Sequence, residues 1–145
     1  MATNNGDLAG QWTYRSFLNN PDPVGDDAQA ALALIFGEGV LTIETASPEA
    51  GFKASLSFGG DAVMDLVGTM AAASGTIPAV IAANGSGRTG SPIADFRYDY
   101  LFYPAPDWPD GIDQRPTLIG TVVRAADHGS ARKGATASTV TVRQG

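Results

Sequence analysis

Nine residues, 95–103, constrain the fold of this chain more than any other stretch. They read DFRYDYLFY, contain five of the chain's 12 aromatic residues, and include neither glycine nor proline. Side chains alternate between the two faces of a β-strand. A strand here would have an aromatic face made of Phe96, Tyr98, Tyr100 and Phe102, and an opposite face that begins with Asp95, Arg97 and Asp99. The aromatic face needs a core or another protein surface to cover it.

Short segments that alternate between apolar and polar residues recur along the rest of the chain. Segment 52–58 is the clearest, because Phe52, Ala54, Leu56 and Phe58 alternate with polar residues. The 18 glycines and nine prolines separate such segments, as is typical of strands joined by turns. The predicted strands are 10–17, 40–44, 52–58, 62–70, 77–83, 95–103, 117–124 and 134–143. We expect one domain, residues 1–145, because a chain of this length can bury a core without disulfides or metals.

One segment after the first strand favours a helix. Asp26 or Asp27 can cap residues 28–36, which are rich in helix formers and are followed by Gly37. The apolar stripe of this helix would consist of Leu32, Ile35 and Phe36. We expect that stripe to close one end of the β-structure.

Three segments read as irregular structure. Residues 1–8 read as a polar N-terminal segment, and residues 84–92 (NGSGRTGSP) read as a glycine-rich mobile loop. Residues 104–116 read as a proline-rich acidic connection that carries Trp108. Long loops at the mouth of a barrel are often lids. The sequence therefore predicts that the Trp108 loop covers an internal site.

About eight strands in sequence, joined by turns and one short helix, predict an all-β, antiparallel up-and-down barrel. Closing the sheet removes both edges and leaves an interior that side chains fill or that holds one small ligand. A two-layer sandwich is the competing architecture.

Charge and composition exclude several partners and cofactors. The formal net charge of −6, with only nine scattered basic residues, argues against nucleic acid as a partner, and no apolar run is suited to membrane insertion. The chain has no cysteine and one histidine, so we expect no metal site. No phosphate-binding motif is present, and we expect no cofactor. The absence of cysteine and of a secretory signal favours a cytoplasmic protein.

Gly10-Gln11-Trp12 at the start of the first strand and the terminal strand ending in Arg143 resemble the calycin group, which contains lipocalins and avidins. The resemblance implies a small barrel in which Trp12 plugs the floor. It further implies that an arginine from a late strand, Arg143 or Arg124, lies across that tryptophan in a cation–π contact.

The aromatic residues are the candidate ligand contacts. The predicted set is Trp12, Tyr14, Phe96, Tyr98, Tyr100 and Trp108, with Arg97, Asp99 and His128 as candidate polar anchors. Arg97 and Asp99 lie on the opposite face of their strand and are also typical of a solvated pair. His128, next to Asp127 and Ser130, is also typical of a surface turn, because such close neighbours do not form a catalytic triad. Catalytic residues are not identifiable from the sequence.

Three functions are compatible with these residues. The first is binding of a small hydrophobic or aromatic molecule inside a lipocalin-like or avidin-like barrel. The second is a cofactor-independent enzyme, such as a cyclase, isomerase or dehydratase, that uses tyrosine, aspartate or arginine as acid–base groups. The third is an interaction protein, for example a homodimer, in which the aromatic face of strand 95–103 points outward and is buried between subunits.

Overall fold

The computed structural model describes residues 8–145, which form a closed antiparallel barrel of eight strands. The strands are β1 (Gly10–Leu18), β2 (Ile35–Ser47), β3 (Gly51–Ser57), β4 (Val63–Ala71), β5 (Val80–Gly87), β6 (Arg97–Pro104), β7 (Thr117–Arg124) and β8 (Thr136–Arg143). Each strand pairs with the next in sequence, and β1 pairs with β8 to complete the wall. The predicted up-and-down barrel is confirmed. A sandwich is excluded, because its two layers would leave free edges.

The two ends of the barrel carry different connections, because successive strands run in opposite directions. One end, here called the Trp12 end, contains the start of β1 and the β2–β3, β4–β5 and β6–β7 connections. The other, called the Tyr98 end, contains the β1–β2, β3–β4, β5–β6 and β7–β8 connections. Residues at the two ends therefore line different parts of the barrel interior.

The aromatic face of β6 points into the barrel. Tyr98, Tyr100 and Phe102 are buried, whereas Leu101 and Tyr103 on the alternate positions are exposed. The Tyr100 and Phe102 rings stack with their centroids 5.5 Å apart. This side of β6 therefore forms part of the core and does not provide the outer interface that the interaction-protein hypothesis requires.

Trp12 fills the end of the barrel that is named after it. Its side chain has no exposed surface, and its indole Nε1 donates a hydrogen bond to the carbonyl oxygen of Leu8 at 2.9 Å. Leu8 is itself buried, so the predicted polar N-terminal segment is wrong at this residue, and residues 1–7 lie outside the described residues. Arg143 is opposite Trp12 in the β1–β8 register, whereas Arg124 is at the Tyr98 end. Arg124 is therefore not the partner of Trp12 that the calycin resemblance allowed.

The predicted helix is confirmed only in its first turn. The α-helix α1 spans Ala28–Ala31, and the Asp27 carboxylate caps it by accepting from the Ala30 amide at 3.1 Å. The predicted stripe is wrong, because Leu32 is exposed while Ile35 and Phe36 belong to β2. Ile35 pairs with Phe17 of β1, and this strand pairing outweighs the local helix propensity of the segment. The part of the chain from residue 8 onward contains no helix long and apolar enough to cross a membrane.

The prediction of a mobile loop over residues 84–92 is wrong for residues 84–87. Strand β5 continues to Gly87 and pairs with both β4 and β6. Gly85 is needed there, because a Cβ at this position would lie 2.8 Å from Cε2 of Tyr100 and 2.7 Å from the sulfur of Met64. Gly85 thus makes room for the Tyr100 ring inside the barrel.

Candidate functional site

A cavity of about 190 Å³ opens at the Tyr98 end of the barrel. Seven of its wall residues come from the strands β1, β2, β6 and β7, and Phe58, Ile93 and Phe96 come from the connections at this end. Its lining consists of Tyr14, Ser16, Phe36, Gly37, Phe58, Ile93, Phe96, Tyr98, Tyr100 and Val122. Aromatic rings and small residues together define a compact site at this end of the barrel.

The wall formed by β1 and β2 depends on a register shift. The pairing of the two strands shifts between Ser16 and Phe17, so Gly37 lies opposite Ser16 while Ile35 lies opposite Phe17. Such an irregularity re-aims side chains in a strand, and Phe36 lines the cavity. At Gly37 a Cβ would make ordinary contacts, 3.5 Å from Oγ of Ser16 and 3.6 Å from Cε1 of Phe58.

The β5–β6 connection folds against the barrel end. Ile93 is 9% exposed and Phe96 is partly buried against the core. The amide of Gly87 donates to the carbonyl oxygen of Phe96 at 3.0 Å, which anchors this connection on the last residue of β5. The connection therefore contributes two apolar side chains to the cavity wall.

Five side chains form a cluster at the rim of the cavity, which we call the mouth cluster: Phe36, Phe96, Tyr98, Arg124 and His128. The His128 ring stacks on Phe96, with centroids 3.7 Å apart and planes at 17°. Its Nε2 lies 2.8 Å from the Tyr98 hydroxyl, which also accepts a hydrogen bond from Nε of Arg124 at 3.1 Å. The Arg124 guanidinium lies over the Phe36 ring at 5.3 Å and the Tyr98 ring at 5.8 Å. The Tyr98 hydroxyl is therefore shared between two basic side chains.

The β7–β8 hairpin holds His128 in position. Reciprocal backbone hydrogen bonds between His128 and Ala131 close a tight turn, and Gly129 adopts the positive φ of 56° within it. The Asp127 carboxylate accepts from the Lys133 amide at 2.7 Å. The histidine thus lies on an ordered turn beside the barrel mouth.

The inner end of the cavity carries neutral hydroxyl groups. The Tyr14 and Tyr100 rings meet edge to face at 6.2 Å. Burial raises the pKa of the Tyr14 hydroxyl to about 12, although hydrogen bonds to Ser16 and Tyr100 oppose this. Burial also raises the pKa of Tyr100 well above its usual value, and the neighbouring Tyr14 adds to the effect. Both phenols therefore remain protonated at neutral pH, and the Tyr100 hydroxyl donates to the sulfur of Met64 at 3.4 Å.

Two further buried hydroxyls adjoin this part of the wall. Thr139 is opposite Ser16 and Thr141 is opposite Tyr14 in the β1–β8 register. Both threonines are fully buried, and within residues 8–145 their Oγ1 atoms have no hydrogen-bond partner. Buried hydroxyls are normally hydrogen-bonded. These two threonine hydroxyls therefore add unsatisfied hydrogen-bonding groups to the barrel interior.

The raised pKa of Tyr14 predicts a loss of stability in alkaline solution. An unfolded tyrosine ionises near pH 10, whereas folded Tyr14 keeps its proton to about pH 12, so the unfolded state releases its proton first as pH rises. We expect this residue to lower the free energy of unfolding by roughly 3 kcal/mol between these pH values. Urea unfolding across the range, compared for the wild type and Tyr14→Phe, measures the effect. Equal slopes with pH in the two proteins would contradict it.

Four of the six predicted aromatic contacts meet at the cavity, namely Tyr14, Phe96, Tyr98 and Tyr100. Trp12 and Trp108 do not. Trp12 fills the other end of the barrel, and Trp108, which is 75% exposed, lies on the β6–β7 connection at that same end. The Trp108 loop is therefore too far from the cavity mouth to be its lid.

Of the three predicted polar anchors, two lie on the outer surface of the barrel and one lies at the mouth of the cavity. Arg97 and Asp99 are exposed on the outer face of β6, where Arg97 donates to the Ala94 carbonyl oxygen at 2.8 Å and Asp99 accepts from Asn84 at 2.7 Å. They do not line the cavity. His128 lies in a turn, as one of its two interpretations held, yet it is half-buried and contacts Tyr98.

Sequence reasoning missed several wall residues. The sequence predicts Phe36 on a helix and Arg124 only as a partner of Trp12. Phe58 was predicted on the inward face of its strand without a role in the site, and Ile93 and Val122 were not singled out. The alternation in 52–58 and 117–124 was the available signal for Phe58 and Val122, whereas nothing local marks Arg124.

No acidic or histidine cluster suited to a metal ion is found in the described part of the chain, since no three such side chains group together. The eight-stranded antiparallel barrel agrees with calycin-like architecture in general. Comparison of the chain with protein-family models, with curated proteins and with solved structures finds no match in any of the three.

Proposed function

We propose that the barrel binds a small aromatic molecule in the cavity at the Tyr98 end. The observation that supports this most directly is the cavity itself, which is bounded by the rings of Tyr14, Phe36, Phe58, Phe96, Tyr98 and Tyr100. Ligand sites are typically concave and largely apolar, with a few convergent polar groups. The hydroxyls of Ser16, Tyr14 and Tyr100 inside and the mouth cluster outside supply those groups.

The volume limits the ligand to one ring or one small fused pair of rings. A cavity of about 150 Å³ lined by apolar side chains binds benzene in another protein, and the present cavity is about 190 Å³. A benzene ring with one short substituent fits this space, whereas a larger polycyclic or long-chain molecule would extend into solvent. The six rings of the wall can meet such a ligand edge to face or offset.

Closing the cavity from within tests the proposal. The side chain introduced by Gly37→Leu would start beside Ser16 and Phe58 and extend into the cavity. We expect benzamide, phenol or indole to bind the wild type with a dissociation constant of about 10 µM to 1 mM. The same compounds should bind Gly37→Leu at least tenfold more weakly, as measured by calorimetry and by ligand-observed NMR.

Gly37→Ala provides the graded control, because its single methyl group meets neighbours only at ordinary contact distances. Its affinity should lie between those of the wild type and the leucine variant. Thermal unfolding of all three proteins separates loss of the cavity from loss of the fold. Absence of binding by every compound to folded wild type, or equal binding to the leucine variant, would count against the proposal.

A second candidate function is favoured by the hydrogen bonds of Tyr98. Its hydroxyl, at the cavity wall, lies between Nε2 of His128 and Nε of Arg124. A tyrosine and a histidine in hydrogen-bond contact can transfer protons to or from a bound molecule. An acid–base enzyme without a cofactor is therefore the alternative, and solvent deuterium appearing at a carbon of a bound ligand would distinguish it from a binding protein.

A further inference from the structure

The positive charge of Arg124 is held beside the cavity by aromatic rings and neutral oxygen atoms. Its Nε donates to the Tyr98 hydroxyl at 3.1 Å and its Nη1 to the carbonyl oxygen of Arg132 at 3.0 Å. The guanidinium carbon lies 5.3 Å from the centre of the Phe36 ring. Two of the rings that flank this cation, Phe36 and Tyr98, also line the cavity. The cation is therefore adjacent to the opening, and its side chain is half-buried.

No carboxylate neutralises this cation among residues 8–145. The ion pairs in that part of the chain join Lys53 to Glu44, Arg88 to Asp65 and Arg132 to Asp127. Asp127, which is on the same hairpin as Arg124, accepts instead from the Lys133 amide and pairs with Arg132. The chain has 15 acidic residues against nine basic ones, so an uncompensated, half-buried arginine at a cavity mouth is unexpected from composition alone.

The guanidinium has hydrogen-bonding capacity left for a ligand. Arginine carries five N–H groups, and the described hydrogen bonds of Arg124 use two of its nitrogen atoms. A carboxylate suits the remaining N–H groups, because its two oxygen atoms can accept more than one N–H bond. The inner end of the cavity holds no charged group and presents phenols that stay neutral, since burial raises the pKa of Tyr14 and Tyr100. An acidic ligand would therefore be oriented with its charge at the mouth.

We propose that the cavity selects a small aromatic carboxylate, with its ring between the wall aromatics and its carboxylate on Arg124. The inference rests on the proposed function, because it names the class of molecule that the same cavity would bind. His128 adds a polar ring at the same rim, where it is held against Phe96.

Benzoate and benzamide are the matched probes, because they have nearly the same shape and only benzoate is charged at neutral pH. We expect wild type to bind benzoate at least tenfold more tightly than benzamide, as a charge-assisted bond would give. Arg124→Gln should remove this preference, so that the ratio of the benzoate and benzamide affinities falls to about one. Lys133→Gln removes a positive charge from the same hairpin without altering the wall, and it should keep most of the preference.

A measurement on the wild type keeps the test valid if Arg124→Gln does not fold. In NMR spectra, the Arg124 guanidinium resonances should shift when benzoate is added and not when benzamide is added. Equal affinities for the two probes, or unchanged Arg124 resonances, would overturn the carboxylate inference while leaving aromatic binding intact. Failure of both probes, phenol and indole to bind would instead overturn the proposed function.

Discussion

Replacing Trp12 with alanine is expected to lower the free energy of unfolding by about 3–5 kcal/mol. Trp12 is the largest fully buried side chain, and it packs where the barrel wall ends, opposite Leu41 and Arg143 in the strand register. The substitution removes apolar burial, leaves a cavity, and takes away the donor for the Leu8 carbonyl oxygen. Urea denaturation followed by circular dichroism measures the loss.

Trp12→Phe separates packing from hydrogen bonding at this position. The phenyl ring keeps much of the buried area but cannot donate to Leu8, so we expect a smaller loss, of about 1–3 kcal/mol. Because the cavity is at the opposite end, folded Trp12→Phe should bind the aromatic probes as the wild type does. A loss below about 1 kcal/mol for the alanine variant would show that Trp12 does not hold this end of the barrel together.

The fold was predictable because its signal is local. Alternation in segment 52–58 and in the aromatic strand reports directly which side chains face inward, and glycine and proline mark the intervening turns. The same alternation predicts that Tyr98, Tyr100 and Phe102 share one face of their strand, and in the structure that face points into the barrel. Alternation alone does not show which face of a strand points into the barrel, because this depends on how the sheet closes.

Two local rules failed where pairing partners outweighed them. The run 28–36 has helix-forming composition, yet β1 extends far enough to pair with Ile35, and the last two residues of the run belong to β2. Gly85 and Gly87 resemble loop glycines, but in the structure they occupy strand positions where other atoms approach closely. Glycine has the same sequence appearance in both roles, and only the neighbours distinguish them.

The candidate site was predictable only in its aromatic part. Tyr98 and His128 are 30 residues apart and meet because β6, β7 and the following hairpin end together. Arg124 reaches the same point from the end of β7. The mouth cluster is therefore a product of barrel closure and strand register, neither of which any short motif encodes. Trp108 illustrates the converse, because a prominent residue in a long loop lies at the wrong end of the barrel.

Gly87→Ala is expected to cost about 3 kcal/mol of stability and to weaken aromatic binding at least tenfold. A Cβ on Gly87 would overlap the carbonyl oxygen of Ile93 and would lie 2.9 Å from Cα of Ala94, so the backbone of the β5–β6 connection has to move. That movement would pull Ile93 and Phe96 away from the cavity and break the bond from the residue 87 amide to the Phe96 carbonyl.

Gly37→Ala is the matched control for stability, because it adds the same methyl group to another strand glycine at the same end of the barrel. Its Cβ meets Ser16 and Phe58 at 3.5 and 3.6 Å, which are ordinary contacts, so we expect a change in stability below about 1 kcal/mol. Denaturant unfolding, benzamide calorimetry and amide hydrogen exchange in residues 88–96 compare the two variants. Near-wild-type stability and binding for Gly87→Ala would mean that the β5–β6 connection is free to shift. The cavity wall built on Ile93 and Phe96 would then not be a fixed part of the site.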